Sequence, residues 1–440
     1  MKIAYLLHWN EGPESGVFKK VVGQALAWRA LGHETALFLF SSRAGDAWEE
    51  AGAGGVPIVC ETYGGKLGRT PRFKALVGKL RGWQPDVVYH RFDLYYPALP
   101  RLLRDYPSVL EINTNDVTEL ALEGWSGLPR RVYHLLTRRR VLAAAGGFVF
   151  VSGELAEADG FRRFAKDLTV IGNGIPLERV AAERLESGAD AGATTEAITS
   201  PSVSPTTNPA TNLTTNLTTN PTTTPNAIRF VFLGSAGQSW HGVDEIARLA
   251  AARPDWRFDV VGLDRAELET EGAVPLKPLP ANMAFHGKLT RSRYQPLLDQ
   301  ADIAIGTLAL HRKGMEEASP LKVREYLANG LPVITAYRDT DFPQPVPFML
   351  QLPNEPGNAV RHLTAIERFA GSWAGRRVAR EHIRHLDAAV KEAARVEYMR
   401  RIVGLAGDKA KGRAGDKKRF ALSAALRAGT GAGEQERGNG

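Results

Sequence analysis

The stretch Glu316-Glu317-Ala318-Ser319-Pro320-Leu321-Lys322-Val323-Arg324-Glu325-Tyr326-Leu327-Ala328-Asn329-Gly330-Leu331-Pro332-Val333-Ile334 holds a helix start, a helix stop and a buried strand. Ser319 before Pro320 is an N-cap and first-turn pair, so a helix is expected to begin there. Asn329-Gly330 ends it, because glycine accepts the left-handed backbone that closes helices. The apolar run 331–335 then reads as a strand. A helix start offers unpaired N–H groups to an anion, and its dipole favours phosphate. Lys322 in the first turn does not help a bare helix, but it suits a site that receives a diphosphate. Glu317 before the cap and Glu325 in the second turn would flank that anion, placed to accept hydrogen bonds from sugar hydroxyls. The plainer alternative is a Lys322–Glu325 surface pair at i,i+3 with Glu317 solvated.

Outward from this element, short apolar runs alternate with helix-period stretches. Strands are expected at 3–8, 34–40, 86–89, 108–112 and 148–151, and after a long polar gap at 228–233, 257–261, 283–285 and 303–306. Helices are expected at 17–31, 138–145, 243–252, 291–300 and 320–329. Continuous apolar strands alternating with helices imply parallel sheets covered on both faces. The fold class is therefore α/β, with two Rossmann-like doubly wound domains facing a cleft. Ligands belong at the carboxyl ends of such strands, where the strand order switches.

The gap itself, 186–226, is Thr, Asn, Ala, Pro and Ser. It has too little apolar material to offset the entropy of ordering, and reads as a disordered linker. The sequons at Asn212 and Asn216 read as chance matches within it. The domains are expected at 1–180 and 227–370. A helical segment over 371–404 should pack back on the first domain, and a flexible basic tail should occupy 405–440.

The chain has 440 residues, 43% hydrophobic and 24% charged, which excludes a fibrous or wholly disordered protein. Cys60 is the lone cysteine, so there is no disulfide framework. The net charge of +8 suits nucleic acid, a phosphate ligand or an anionic membrane. Most of that excess lies beyond residue 400, without interleaved aromatics, which disfavours nucleic acid and leaves a tail able to graze an anionic membrane. No run is apolar enough to span a bilayer, and 1–8 reads as a buried strand rather than a signal peptide. The expected compartment is the cytoplasm.

Two glutamates with seven residues between them, in the setting Glu317…Ser319-Pro320-Leu321-Lys322…Glu325-Tyr326-Leu327-Ala328…Gly330-Leu331-Pro332, resemble the signature of the retaining glycosyltransferases of family 4, group 1, which have the GT-B fold. Other stretches resemble the family in order: Val149–Leu155 late in the first domain, Ile171-Gly172-Asn173-Gly174 between domains, Phe230–Gly234 with Trp240-His241-Gly242 opening the donor domain, and Phe285-His286-Gly287 further on. The resemblance implies transfer of a sugar from a nucleotide-sugar donor to an acceptor hydroxyl with retention. It assigns Glu317 to hydroxyls of the transferred sugar and Glu325 to the nucleotide ribose. Backbone N–H groups near Leu321 and Lys322 fall to the diphosphate, Ser319, Pro320, Gly234, Ser235 and Gly287 also to the donor, and Glu317, Lys322 and His241 to catalysis. The family usually places an arginine and a lysine on the diphosphate where this chain has Ser235 and His241. Lys322, and His241 if protonated, would supply part of that charge. No cofactor is implied, and no Asp-x-Asp metal motif ends an expected strand, so no obligatory metal is expected.

In the first domain, Gly16 lets the backbone approach a ligand, and Lys19 follows it. Gly12 and Gly16 do not make G-x-G-x-x-G, which discounts a nicotinamide enzyme. His90-Arg91 and Asn113 with Asn115 follow strands and are acceptor-side candidates; Arg91 paired to Asp93 or Glu111 is the structural alternative. A glycan, a lipid-linked precursor or a small molecule would all serve as acceptor. The rival readings are a nucleotide-sugar 2-epimerase of the same architecture and a non-catalytic nucleotide-sugar-binding protein.

Overall fold

The structure is a computed structural model and describes residues 1–43, 48, 55–122, 125, 127–180, 227–270 and 278–429. The expected linker 186–226 and residues 430–440 of the expected tail lie outside the described residues. The chain divides into two compact units: Met1–Gly172 with the segment from Ala388 onward, and Asn173–Asp387.

The first unit is built on a seven-stranded parallel sheet: β1 (Lys2–His8), β2 (Glu34–Ser41), β3 (Ile58–Thr62), β4 (Val87–Arg91), β5 (Ser108–Ile112), β6 (Gly147–Phe150) and β7 (Asp167–Val170). Their order is β3-β2-β1-β4-β5-β6-β7, all parallel, so the switch lies between β1 and β4. Ile3 to Leu7 are all buried, which is why β1 reads as an unbroken apolar run: helices cover both its faces. Helix α1 (Gly16–Ala30) starts at Ser15, whose hydroxyl accepts the Phe18 N–H at 3.2 Å. Helix α2 (Leu128–Ala144) lies further along.

The last helix, Ala388–Gly429, packs against α1 and β5. Val396, Tyr398, Met399 and Ile402 enter the same core as Ile3, Tyr5 and Trp28. Gly147 is needed here, because a Cβ would collide with the Tyr398 hydroxyl and Ile402. The core also holds charge. Glu111 is fully buried; Lys20 donates to it at 2.9 Å, and Arg395 lies 3.8 Å away. Arg395 also donates to Glu392 at 2.6 Å and to the Ile171 and Gly172 carbonyls at 3.1 Å each. Burial would raise the Glu111 carboxyl, but Lys20, Arg395 and Arg91 override it and hold it well below the usual carboxylate range.

The second unit carries a six-stranded parallel sheet: β8 (Arg229–Leu233), β9 (Arg257–Val261), β10 (Met283–Phe285), β11 (Ile303–Ile305), β13 (Val333–Thr335) and β15 (Met349–Gln351), in the order β10-β9-β8-β11-β13-β15. A two-stranded parallel ladder joins β12 (Glu317–Ala318) to β14 (Arg338–Asp339). Helices α3 (Val243–Ala252), α4 (Arg291–Gln300) and α5 (Leu321–Ala328) belong to this unit.

Two boundaries differ from expectation. The first unit ends at Gly172 rather than 180, and the segment 371–404 is divided: residues to Asp387 belong to the second unit, and only the helix from Ala388 packs on the first. The cause is pairing of the two strands of chain at the crossing, where Ile175 bridges Asp387 and its N–H donates to the Leu386 carbonyl at 2.9 Å. The backbone of 405–429 continues the last helix, a stretch rich in Ala, Leu, Lys and Arg, all good helix formers. Among the described residues no helix is long and apolar enough to cross a membrane.

Replacing Arg395 by Met strands Glu111 and Glu392 in the core, and such truncation of a buried pair costs about 3–5 kcal/mol. The urea midpoint, followed by tryptophan fluorescence of the full chain, should fall accordingly. Lys19→Ala, which breaks an exposed pair with Glu14, should stay within about 0.5 kcal/mol of wild type.

Candidate active site

Helix α5 begins differently from the expected cap. Pro320 occupies the N-cap position with φ −71° and ψ 139°, and no side chain caps the helix. The Ser319 hydroxyl is engaged elsewhere, accepting the Asn173 N–H at 2.7 Å and Arg324 Nη2 at 2.7 Å. The first bond to a Pro320 carbonyl comes from Val323 at 3.2 Å, so the N–H groups of Leu321 and Lys322 have no intrahelical acceptor. Gly330, with φ +73°, ends the helix as expected from its sequence.

Lys322 does not form the surface pair. Its Nζ is buried, has no hydrogen-bond partner and lies 4.3 Å over the Phe232 ring. Burial lowers its ammonium to about 7. Glu325 instead accepts the Tyr294 hydroxyl at 2.7 Å and lies 3.7 Å from Arg291 Nε. Glu317 is half-buried in β12 rather than in a free loop.

Gly234 follows β8, and a Cβ there would run into the Phe232 ring, so backbone approach at this turn requires glycine. His241 ends a 3₁₀ turn (Ser239–His241), buried, with its ring 5.6 Å from that of Phe232. Burial, then the charges of Lys322 and Lys313, hold its imidazole well below the usual histidine range. Burial first, and then the two neighbouring ammonium groups, favour the neutral ring over the protonated His241 of the sequence reading. Ser235 is exposed. Gly287 takes φ +60°, where a Cβ would press on Asp264 Oδ1 at 2.8 Å; its turn explains it.

Lys313 is a residue that the motif reading does not single out. It ends the 3₁₀ turn Leu310–Lys313 after β11, is buried, and lies with Nζ 4.4 Å over the Trp240 ring. The loops meet because Leu308 and Ala309 N–H groups donate to the His241 and Trp240 carbonyls at 3.2 Å each. Only the strand order β8-β11, not the sequence spacing, brings Lys313 beside His241.

Arg324 fastens this element from beneath. Its guanidinium donates to both Asp339 oxygens and to Asp341, all at 2.7 Å, and its Nε to the Asn173 carbonyl at 3.0 Å. Asp339-Thr340-Asp341 is an Asp-x-Asp at the end of β14, contrary to the expectation that no such motif ends a strand. Both carboxylates face the arginine, and they tie α5 to β14.

In the first unit the acceptor-side candidates part company. Lys19 is exposed and pairs with Glu14 at 2.9 Å; Asn115 accepts the Thr118 N–H at 3.2 Å as a helix cap. Gly16 opens α1 with open space around it. His90 is buried, bonded to the Leu6 carbonyl at 3.0 Å, and burial lowers it to about 4. Arg91 lies 3.9 Å from Glu111, the structural alternative, and 6.0 Å over Trp9. Asn113 accepts from Lys20 at 3.1 Å. The polar knot at the switch is instead His8, the last residue of β1. Its Nδ1 meets Asp93 and, at 3.1 Å, the Tyr96 hydroxyl; its Nε2 meets the Tyr63 hydroxyl at 2.8 Å. The signal for it was its place at the end of the first strand.

Comparison with known proteins follows this geometry. The family model of Glycosyltransferase Family 4 matches residues 15–179, and that of Glycosyl transferases group 1 matches residues 228–346. No curated protein matches the chain. Three solved structures share the fold. HepE from Anabaena, in complex with UDP and glucose, is 15% identical with a TM-score of 0.55 over 91% of this chain and 99% of its own. Sucrose-phosphate synthase from Thermosynechococcus elongatus is 14% identical with a TM-score of 0.54 over 96% and 99%. A UDP-GlcNAc 2-epimerase from Neisseria meningitidis, bound to UDP-GlcNAc, is 11% identical with a TM-score of 0.51 over 91% and 100%. Identities this low establish the fold alone, the GT-B fold of two Rossmann-like domains. With one family model on each side of the Thr/Asn-rich stretch, together matching most of the chain, the chain belongs to glycosyltransferase family 4, group 1.

Proposed function

We propose that this chain is a retaining glycosyltransferase whose second unit binds a nucleotide-sugar donor at the start of α5. The observation that carries the reading is Lys322: a buried ammonium without a hydrogen-bond partner, in the first turn of a helix flanked by Glu317 and Glu325. A buried amine is costly unless something compensates it, and a diphosphate does so directly. HepE with UDP and glucose, and the Neisseria epimerase with UDP-GlcNAc, lend support as proteins of the same fold.

In this reading the N–H groups of Leu321 and Lys322 hold the diphosphate, with the ammonium groups of Lys322 and Lys313. Those two lysines carry the charge that the family usually places at the positions of Ser235 and His241. Glu325 holds the ribose and Glu317 the hydroxyls of the transferred sugar, while Gly234 lets the backbone close on the donor. The bond from the anomeric carbon to the diphosphate breaks, its electron pair leaving with the phosphate. The acceptor oxygen bonds the same carbon on the same face, and its proton passes to the departing phosphate oxygen. The chain contributes positioning and stabilisation of the departing charge. Acceptor binding falls to the strand ends of the first unit, where His8, Arg91 and Asn113 lie.

Glu317→Ala should lower kcat about 100-fold through lost positioning, with the donor KM little changed. Glu325→Ala should raise donor KM by about 10- to 100-fold, the worth of hydrogen bonds to a charged group. Steady-state kinetics with any acceptor that supports turnover separates the two. Nucleotide should be released only when acceptor is present; interconversion of donor alone would identify an epimerase.

Lys322 is half-charged in the free enzyme near pH 7, and the diphosphate favours its charged form. Donor affinity should therefore weaken above pH 7 by up to about tenfold per unit. Lys322→Arg, always charged, should flatten that dependence while keeping binding; calorimetric titration from pH 6 to pH 9 checks both.

A further inference from the structure

Helix α2 is amphipathic in the wrong sense for a helix that only covers a sheet. Its inward side holds His134 and Arg138 beside Val141 and Leu142, and all four are buried. Asp116 fixes that side: Arg138 Nε and Nη2 donate to its carboxylate at 2.7 and 2.9 Å, and His134 Nε2 lies at 2.5 Å. In the first half of the helix the apolar side chains point outward. Leu128, Val132, Leu135 and Leu136, at helical spacing along one side, are 42%, 47%, 46% and 74% exposed, and Trp125 just before the helix is 90% exposed. Leaving such a strip in water needs a reason, since large exposed apolar patches mark interaction surfaces.

The charge around the strip chooses the partner. Helix α2 contains no acidic residue, and Arg130, Arg139 and Arg140 are exposed on it with Arg131 half-exposed. Leucines, a tryptophan and Tyr133 bordered by arginines match a helix lying in the headgroup layer of an anionic bilayer. We propose that α2, with Trp125, is the surface by which this protein docks on anionic membranes. This places the contact on a folded helix of the first unit, in place of the basic tail. Combined with glycosyl transfer, on which this one clause rests, it favours a lipid-linked acceptor over a soluble metabolite.

The test is co-sedimentation of the full chain with vesicles of phosphatidylcholine alone or mixed with phosphatidylglycerol, at low and high salt. Binding is expected on the mixed vesicles only, weakening as salt rises. Arg139→Ala with Arg140→Ala should reduce it about thirtyfold, and Leu136→Glu at least as much, both with unchanged melting temperature. Replacing the tail residues Lys409, Lys411, Lys417 and Lys418 by Gln should leave it unchanged. The proposal is overturned by absence of binding, by binding that survives both α2 variants, or by loss of binding only in the tail variant. It is equally overturned if Leu136→Glu merely converts a dimer to monomer in a chain that ignores vesicles. None of these readouts depends on transferase activity.

Discussion

Arg324 has no exposed surface, and the geometry of the second unit converges on it. One guanidinium joins the start of the unit at Asn173, the Ser319 hydroxyl before α5, and the two aspartates at the end of β14 and just beyond it. Asn173 reinforces the joint by donating its own N–H to Ser319 and its side-chain amide to the Ser319 carbonyl. A buried charge of this kind is stabilising only while every partner is present, because losing one leaves the rest desolvated and unpaired. The consequence is positional. The turn at Ser319-Pro320 cannot shift without breaking the joint, so the spacing between Glu317, Lys322 and Glu325 is set by a residue whose own charge is taken up by Asp339 and Asp341. Planarity and a fork of donors suit arginine to this task; lysine would satisfy one partner at a time.

Two further clusters of buried charge, one in each unit, contrast with each other. In the first, Glu111 is compensated in full by Lys20, Arg395 and a hydrogen bond from the Tyr5 hydroxyl at 3.1 Å. That cluster welds the last helix to the sheet, and its charges are spent within the fold. In the second, Lys322 is buried over an aromatic ring with no hydrogen-bond partner, and a second ammonium, Lys313, lies over Trp240 near the same neutral histidine. A cation over a ring is partly compensated, but far less than one paired with a carboxylate. The first arrangement pairs its charges within the fold; in the second the Lys322 ammonium has no hydrogen-bond partner, and that makes it a candidate site.

The alternation of apolar strands and helices was legible because a strand covered on both faces must be apolar along its length, as β1 and β8 are. Edge strands β3, β7 and β15 were missed, since they are short and half-polar, and so was the helix Gly65–Trp83, whose Pro71 and glycines look like breakers. The glutamate element was legible because helix start and stop signals are local. Ser319 was misread as a cap, because its true partners, Asn173 and Arg324, are fixed by tertiary contact. Lys313 and the His8 knot were hidden for the same reason, being assembled by strand order. His241 shows the converse: its position was readable, but its charge state depends on burial and on Lys313 and Lys322, both distant in sequence.

The central claim is that the start of α5 is a donor site, and a thermal-shift comparison with UDP-, GDP- and ADP-sugars tests it most directly. The account predicts that one nucleotide class raises the melting temperature of the wild-type chain, and that Lys322→Met, with an unliganded melting temperature no lower than wild type, loses that shift. An equal shift in both proteins would contradict it, as would no shift with any of the three.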